Sequence, residues 1–427
     1  MLLFAQNAYA VPSFGIQTSQ PCSACHVGSF GGRLKELGRD FKLNGYATSD
    51  NKEHYIPFSV SVRGSYTHTD ADIAAGASDG FDVNDNAAFD GVTIAYGGKL
   101  FDNIGGIARI GYNGIRQTWA WGGVDLRYAE ETTIFGSEAV VGGYINNGPS
   151  RSDLFENLNS GAPTASSSLS RRPRGGFVVN ALGGLVAGIG AYTLVDNRIY
   201  LELAAYDGLN RDTLNALGLD PLNGSDEIKN FVPYARAAYT QNFDEDRHTI
   251  TVGTSATITE TYPKGNEHAG NNRFTELGAD LHYALTFDPA RTTSDYIGAR
   301  IAVMHQQADL KASHALSGTR GENDYTAIKA DITYSLDATV TSTIHYFANN
   351  GTKDSKRWGG NGNVDSRGWV AQVDYVPWGK PDSPIDWFNL RLSASYTAYE
   401  EFNGNTVTAS DRNTFFVGLA LHGTSAQ

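Results

Sequence analysis

From Phe58 onward, apolar and polar side chains alternate along the chain in stretches of about ten residues, the length a tilted strand needs to cross a bilayer. In NLRLSASYTAY, Leu390, Leu392, Ala394, Tyr396 and Ala398 share one face, while Arg391, Ser393, Ser395 and Thr397 share the other. AIKADITYSL sets Ile328, Ala330, Ile332 and Tyr334 against Lys329, Asp331 and Thr333, and HTITVGTSATIT repeats the pattern through Ile250, Val252, Ala256 and Ile258. A period of two with one oily face predicts half-buried strands. Segments of this kind near residues 58, 88, 104, 120, 132, 177, 198, 231, 248, 274, 295, 324, 338, 367, 387 and 412 predict about sixteen of them, an even number as closed antiparallel barrels of the outer membrane require.

The connections add a second regularity. Long polar links around 70–87, 147–175, 208–230, 261–272, 309–323, 349–366 and 401–411 mostly alternate with tight turns such as VDNR, FDED and SLDA. Only the short link near 114–118 falls where a long one is due. Long outer loops and short periplasmic turns are the asymmetry of outer-membrane barrels, and parity then puts the N-terminal segment on the periplasmic side or inside the lumen. Tryptophans near strand ends, Trp119, Trp121, Trp369, Trp378 and Trp387, suit interfacial girdles. A soluble sandwich or propeller would also give many short strands, but without that loop asymmetry.

Composition narrows the class further. There is no run of ~18 apolar residues to cross a membrane as a helix. A formal net charge of -13 excludes a nucleic-acid partner, which needs a basic face. The opening LLFAQNAYA before Val11 has a short apolar core and an Ala-Tyr-Ala site, so residues 1–10 are expected to be the remnant of a secretory leader.

The chemistry concentrates in SQPCSACHVG, residues 19–28, which holds both cysteines and sets His26 directly after the second. C-x-x-C-H is the pattern of c-type haem attachment: two thiols on one side of a turn form thioethers with the haem vinyl groups, and the next histidine ligates the iron. A disulfide in an oxidising compartment is the alternative for Cys22 and Cys25; a zinc site lacks a second ligand pair. In GGRLKELGRDFKLNGY, Leu34, Leu37 and Phe41 give one apolar helical face, and Asn44-Gly45 a stop. A segment of ~45 residues buries too little to fold alone, and needs haem and a surrounding wall.

The stretch from Phe14 to Tyr46 resembles the N-terminal cytochrome of the fused monohaem cytochrome c–porin family of the outer membrane, whose members include iron oxidases. The matching residues are Pro12, Phe14, Gln17 and Thr18, then Cys22, Cys25 and His26, then Gly38, Arg39, Phe41, Lys42, Gly45 and Tyr46; Ile16 and Leu37 depart from the family pattern. The resemblance implies a monohaem cytochrome segment over 11–56, plugging or capping a sixteen-stranded transmembrane β-barrel over 57–427. It implies one covalent haem c and oxidation of extracellular Fe(II), with electrons passed to a periplasmic cytochrome or other soluble carrier. Export of electrons outward, another donor, or a diffusion porin with a structural haem are the alternative functions.

For the distal iron position the sequence offers Met304, expected to face the lumen from IGARIAVMHQQ, and His54, between the cytochrome segment and the first strand; His68 and His305 are weaker candidates. Arg63, Arg109, Arg127, Arg300 and Arg391 are candidate partners for haem propionates.

Overall fold

A computed structural model describes residues 11–50, 56–73, 78–155, 169–170, 172–219 and 226–424. The expected leader remnant at 1–10 and the candidate ligand His54 lie outside the described residues. Three short helices come first: α1 (Pro12–Thr18), α2 (Cys22–Cys25) and α3 (Glu36–Leu43). The strands follow: β1 (Phe58–Thr69), β2 (Asn86–Phe101), β3 (Ile104–Asn113), β4 (Thr118–Ile134), β5 (Ser137–Asn146), β6 (Val186–Val195), β7 (Ile199–Gly208), β8 (Glu227–Ile228), β9 (Val232–Phe243), β10 (His248–Tyr262), β11 (Asn272–Thr286), β12 (Tyr296–Asp309), β13 (Glu322–Leu336), β14 (Val340–Gly351), β15 (Ser366–Tyr375), β16 (Phe388–Glu401) and β17 (Thr414–Thr424). Each long strand pairs antiparallel with its neighbours in the chain. The last closes on the first in a register running from Ser59 opposite Thr424 to Thr69 opposite Thr414, so no edge is left. β8 is a two-residue ladder beside the end of β10, which leaves sixteen staves, as the alternation predicts.

The barrel is inverted relative to a soluble protein. Ile189, Leu203 and Ile332 are each more than three-fifths exposed on the outer face, in a belt with Leu201, Leu277 and Ile344. Asp125, Arg127, Glu202, Arg236, Glu276, Asp280 and Asp331 are buried inside. An apolar belt of this extent is tolerable only in lipid, and a closed barrel is the one sheet that leaves no backbone group unpaired there. The chain is therefore an outer-membrane β-barrel. Aromatic rings mark both rims: Phe89, Tyr112 and Trp119 meet in tilted contacts at the long-loop end, and Phe58 meets Tyr96 edge to face at the other.

Turn chemistry accounts for the tight end. Asp196 and Asn197 both take φ near +53°, as do Asp337 and Ala338 near +48°, the left-handed pairs whose twist matches a hairpin. The longer link from Val376 to Trp387 lies at this same end and folds beneath the lumen: Gly379 accepts from Ser23 N–H at 2.9 Å.

Two sequence expectations shift here. The strand expected near 132 starts at Ser137, because β4 runs on to Ile134. The strand expected near 177 starts at Val186; the apolar run before it forms α5 (Val178–Ala181) inside the lumen. The described parts of that link, residues 147–155 and 172–185, which include α4 (Pro149–Ser152), turn inward instead of outward. The buried Glu276 carboxylate accepts from Val178 N–H at 2.6 Å and Val179 N–H at 2.8 Å, satisfying backbone donors that the interior would otherwise orphan. Leu154, Phe177, Val179 and Leu182 pack there against Tyr144, Tyr192, Tyr206 and Tyr234 of the wall and Leu43 of α3. Remaining helices are α6 (Arg211–Ala216), α7 (Lys311–Ser317) and α8 (Ser355–Trp358), all in long links.

Candidate functional site

The N-terminal segment occupies the lumen at the tight-turn end and is tied to several staves. Ser13 donates to Gly97 O at 2.7 Å, Lys99 N–H to Gln17 at 2.9 Å, Ser29 to Ala338 O at 2.8 Å, and Asn389 to Ser29 O at 2.7 Å. Arg33 pairs with Asp331, whose other oxygen is held by Arg300 at 2.7 Å. Tyr192 donates its hydroxyl to Leu43 O at 2.5 Å.

Within the segment, α2 is a single turn carrying Cys22 and Cys25, closed by His26 N–H donating to Cys22 O at 2.9 Å. The chain doubles back, with Val27 N–H on Arg33 O at 3.0 Å and Lys35 N–H on Cys25 O at 2.9 Å, and so sets α3 against α2. Gly38 is the point of contact: a Cβ there would stand 2.5 Å from Cys25 O. The expected helix over Leu34 to Phe41 thus starts later, at Glu36, and ends at Asn44 with Gly45 in the left-handed region, as Asn44-Gly45 predicts.

Cys22, Cys25 and His26 line one cavity of about 470 Å³, the size of a typical cofactor site. Val11, Phe14, Leu37, Phe41 and Ile107 supply its apolar walls, and Lys42, Arg109 and Arg151 supply cations. His26 Nδ1 faces Gly32 O at 3.4 Å, which leaves Nε2 for a metal. Burial holds the His26 imidazole down to about 4, so it is neutral and can donate a lone pair at neutral pH. Burial also pushes the Cys25 thiol up to about 11, and Cys22 upward, so neither is a ready thiolate.

The cations are crowded. Burial and then the neighbouring Arg109 push Arg151 down to about 9; burial and then Arg127 push Lys42 down to about 8. Arg151 Nε is buried with no hydrogen-bond partner among the described residues. A cavity with apolar walls, two thiols, a neutral imidazole, and the cations Lys42, Arg109 and Arg151 set among Asp40, Asp125 and Asp153 fits a haem: Cys22 and Cys25 would form its thioethers, His26 would ligate the iron, and Arg109, Arg151 and Lys42 would be the partners for its propionates.

Of the other sequence candidates, Arg109 lines this cavity. Arg127 stands behind it, held by Asp125 at 3.0 Å beneath the rings of Tyr46, Tyr144 and Tyr192. Arg300 is committed to Asp331, and the Arg391 guanidinium lies over Phe30 at 4.8 Å; neither it nor Arg63 lines the cavity. The structure does not bring Met304 to His26. It faces inward as expected, 5 % exposed, but packs in the lumen cluster with Tyr325 and Phe177 and is not a lining residue. His68 is exposed beside Asp85 at 2.8 Å, and His305 is exposed beside Thr326 at 2.9 Å. Sequence reasoning missed Arg151, which arrives on the infolded link; the apolar Leu154-Phe155 after it was the available signal.

No protein-family model matches the chain, and no curated protein does. Among solved structures it is similar to the outer membrane channel DcaP of Acinetobacter baumannii, with TM-score 0.46 and 14% identity over 86% of this chain and 96% of that one. It is also similar to an anion-selective porin from Comamonas acidovorans, with TM-score 0.44 and 10% identity over 86% and 98%, and to OmpT of Vibrio cholerae, with TM-score 0.41 and 12% identity over 86% and 97%. Likeness at this level does not speak to activity.

Proposed function

We propose that this barrel is an outer-membrane electron-transfer protein carrying one covalent haem c on Cys22 and Cys25 with His26 as proximal ligand, and that it takes electrons from extracellular Fe(II) toward periplasmic carriers. The observation that carries the haem reading is the convergence of both cysteines, His26 and three cations on one apolar cavity. The iron reading rests on the resemblance of Phe14–Tyr46 to the cytochrome segment of iron-oxidising barrels, and on the insolubility of ferric iron near neutral pH, which favours leaving the product outside.

Haem supplies the one-electron chemistry when bound, so no protein nucleophile or acid–base pair is required. The chain holds the imidazole neutral, would hold the propionates at Arg109, Arg151 and Lys42, and would set Phe14, Phe41 and Ile107 against the macrocycle. A diffusion porin with a structural haem is disfavoured by the lumen filling, in which α5, Phe177 and Leu182 lie across the path with the wall tyrosines.

Stopped-flow mixing of the purified, oxidised haem protein with Fe(II), followed by haem absorbance, tests the assignment. Reduction at a rate first order in Fe(II) is expected. Haem that stays oxidised while dithionite reduces it would remove iron as donor and leave the alternative donors.

A further inference from the structure

A second cavity, of about 590 Å³, opens at the tight-turn end between α1 and the link from Val376 to Trp387. It shares Pro12, Gly15, Gln20, Pro21 and Cys22 with the haem cavity. Cys22 therefore stands in the wall between them, whereas Cys25 and His26 line the haem cavity and not this groove. The groove's surface is apolar at Ile16, Ile385, Trp387 and Phe388, with Lys380 and Asp386 at its edge. An apolar patch inside a charged rim is the anatomy of a transient protein interface. The link that floors the groove carries Asp382 and Asp386 against Lys380, and tight turns elsewhere on the same rim add Asp196, Asp244, Glu245 and Asp246.

We propose that this groove is the electron exit, where a small, basic, soluble one-electron carrier protein docks against the Cys22 edge of the haem. The proposal rests on the haem reading above. One electron passes from the ferrous haem to the oxidised centre of the carrier, leaving ferric haem and reduced carrier, with no bond made or broken and no proton moved. The acidic turns select a basic carrier and raise its encounter rate at low salt. A third cavity, of about 380 Å³, also abuts the segment, but no thiol lines it, and its cations Arg33, Lys35, Arg39 and Arg291 outnumber its acids Glu36, Asp40 and Asp246.

The test uses the full haem-loaded chain in lipid nanodiscs, reduced beforehand, with mitochondrial cytochrome c as a basic probe and ferricyanide as a small one. Pro381→Cys coupled to a polyethylene-glycol maleimide covers the groove, and Arg291→Cys with the same label covers the other opening. The groove label is expected to slow transfer to cytochrome c, and to weaken its binding by biolayer interferometry, by about tenfold or more. It should leave ferricyanide oxidation and the haem spectrum unchanged. The label at position 291 should change none of these.

Slowing by the label at 291 instead, by neither label, or of ferricyanide as well as cytochrome c overturns the proposal. Binding is measured on haem-free chain in parallel. Absence of covalent haem with label-sensitive binding retained sinks the haem reading alone; binding indifferent to the groove label sinks the exit.

Discussion

With haem bound as proposed, Asp40 is the titrating group placed to couple proton and electron. It lines the cavity of Cys22, Cys25 and His26, and burial, together with Glu36 four residues earlier, pushes its carboxyl up to about 6. The proton leaves as pH rises through that value, and the resulting anion favours ferric over ferrous haem. The midpoint potential should therefore fall with rising pH around pH 6, by at most about 59 mV per unit for a one-electron couple. Spectroelectrochemical titration should show this slope in the native chain and a flat line in Asp40→Asn; equal slopes in both would contradict the placement. Gly38 offers a packing test at the same scale. A methyl there meets Cys25 O and Leu34, so Gly38→Ala must push α3 off α2, a cost of about 1–3 kcal/mol. The expected readout is a lower temperature for loss of haem circular dichroism, with the barrel's far-UV signal melting where it did before.

Elements are held together here by buried charge as well as by apolar packing. Asp331 on β13 serves two guanidiniums at once, Arg33 from the plug and Arg300 from β12, and its side chain is 1% exposed. Asp331→Asn strands both cations, at about 3–5 kcal/mol for a broken buried pair. Proteolysis inside residues 11–50 should accelerate by orders of magnitude while the barrel stays resistant; unchanged cleavage would mean that the other ties suffice. This latch shows where sequence reasoning ends. Alternation placed Asp331 on the inner face, and C-x-x-C-H marked Cys22, Cys25 and His26 as one cluster, because each signal is local. The partner Arg33 is far away in sequence, and no spacing rule joins the two. The same limit explains α5: its valines and the Leu182 that follows read as a strand at 177, because an apolar run does not say whether lipid or a filled lumen will cover it. Met304 shows the converse. Its inward direction was legible from the period of two, whereas its depth along the lumen relative to His26 was not.

On the scale of the whole molecule, the barrel supplies what the short N-terminal segment lacks, a wall that buries it. Strand count, loop asymmetry and the end at which the segment sits were legible because closure demands an even number of staves and fixes the parity of their turns. The filled lumen was not legible, since 147–175 reads as one more polar loop and the run at 177 as a strand until Glu276 is seen binding the α5 backbone. That filling predicts near-zero single-channel conductance in planar bilayers. Glu276→Ala, which frees the link, should open a measurable channel, and large conductance in the native chain would argue for a solute pore. The account stands most directly on covalent haem in the Cys22–Cys25 cavity, and intact-mass spectrometry of the denatured, acid-acetone-extracted protein measures it. Retention of one haem mass on the chain, reduced to a single thioether in Cys22→Ser and absent when both cysteines are replaced, is the expected result. A native chain that surrenders its porphyrin to the solvent, or never carried one after expression with the cytochrome c maturation machinery, would contradict it.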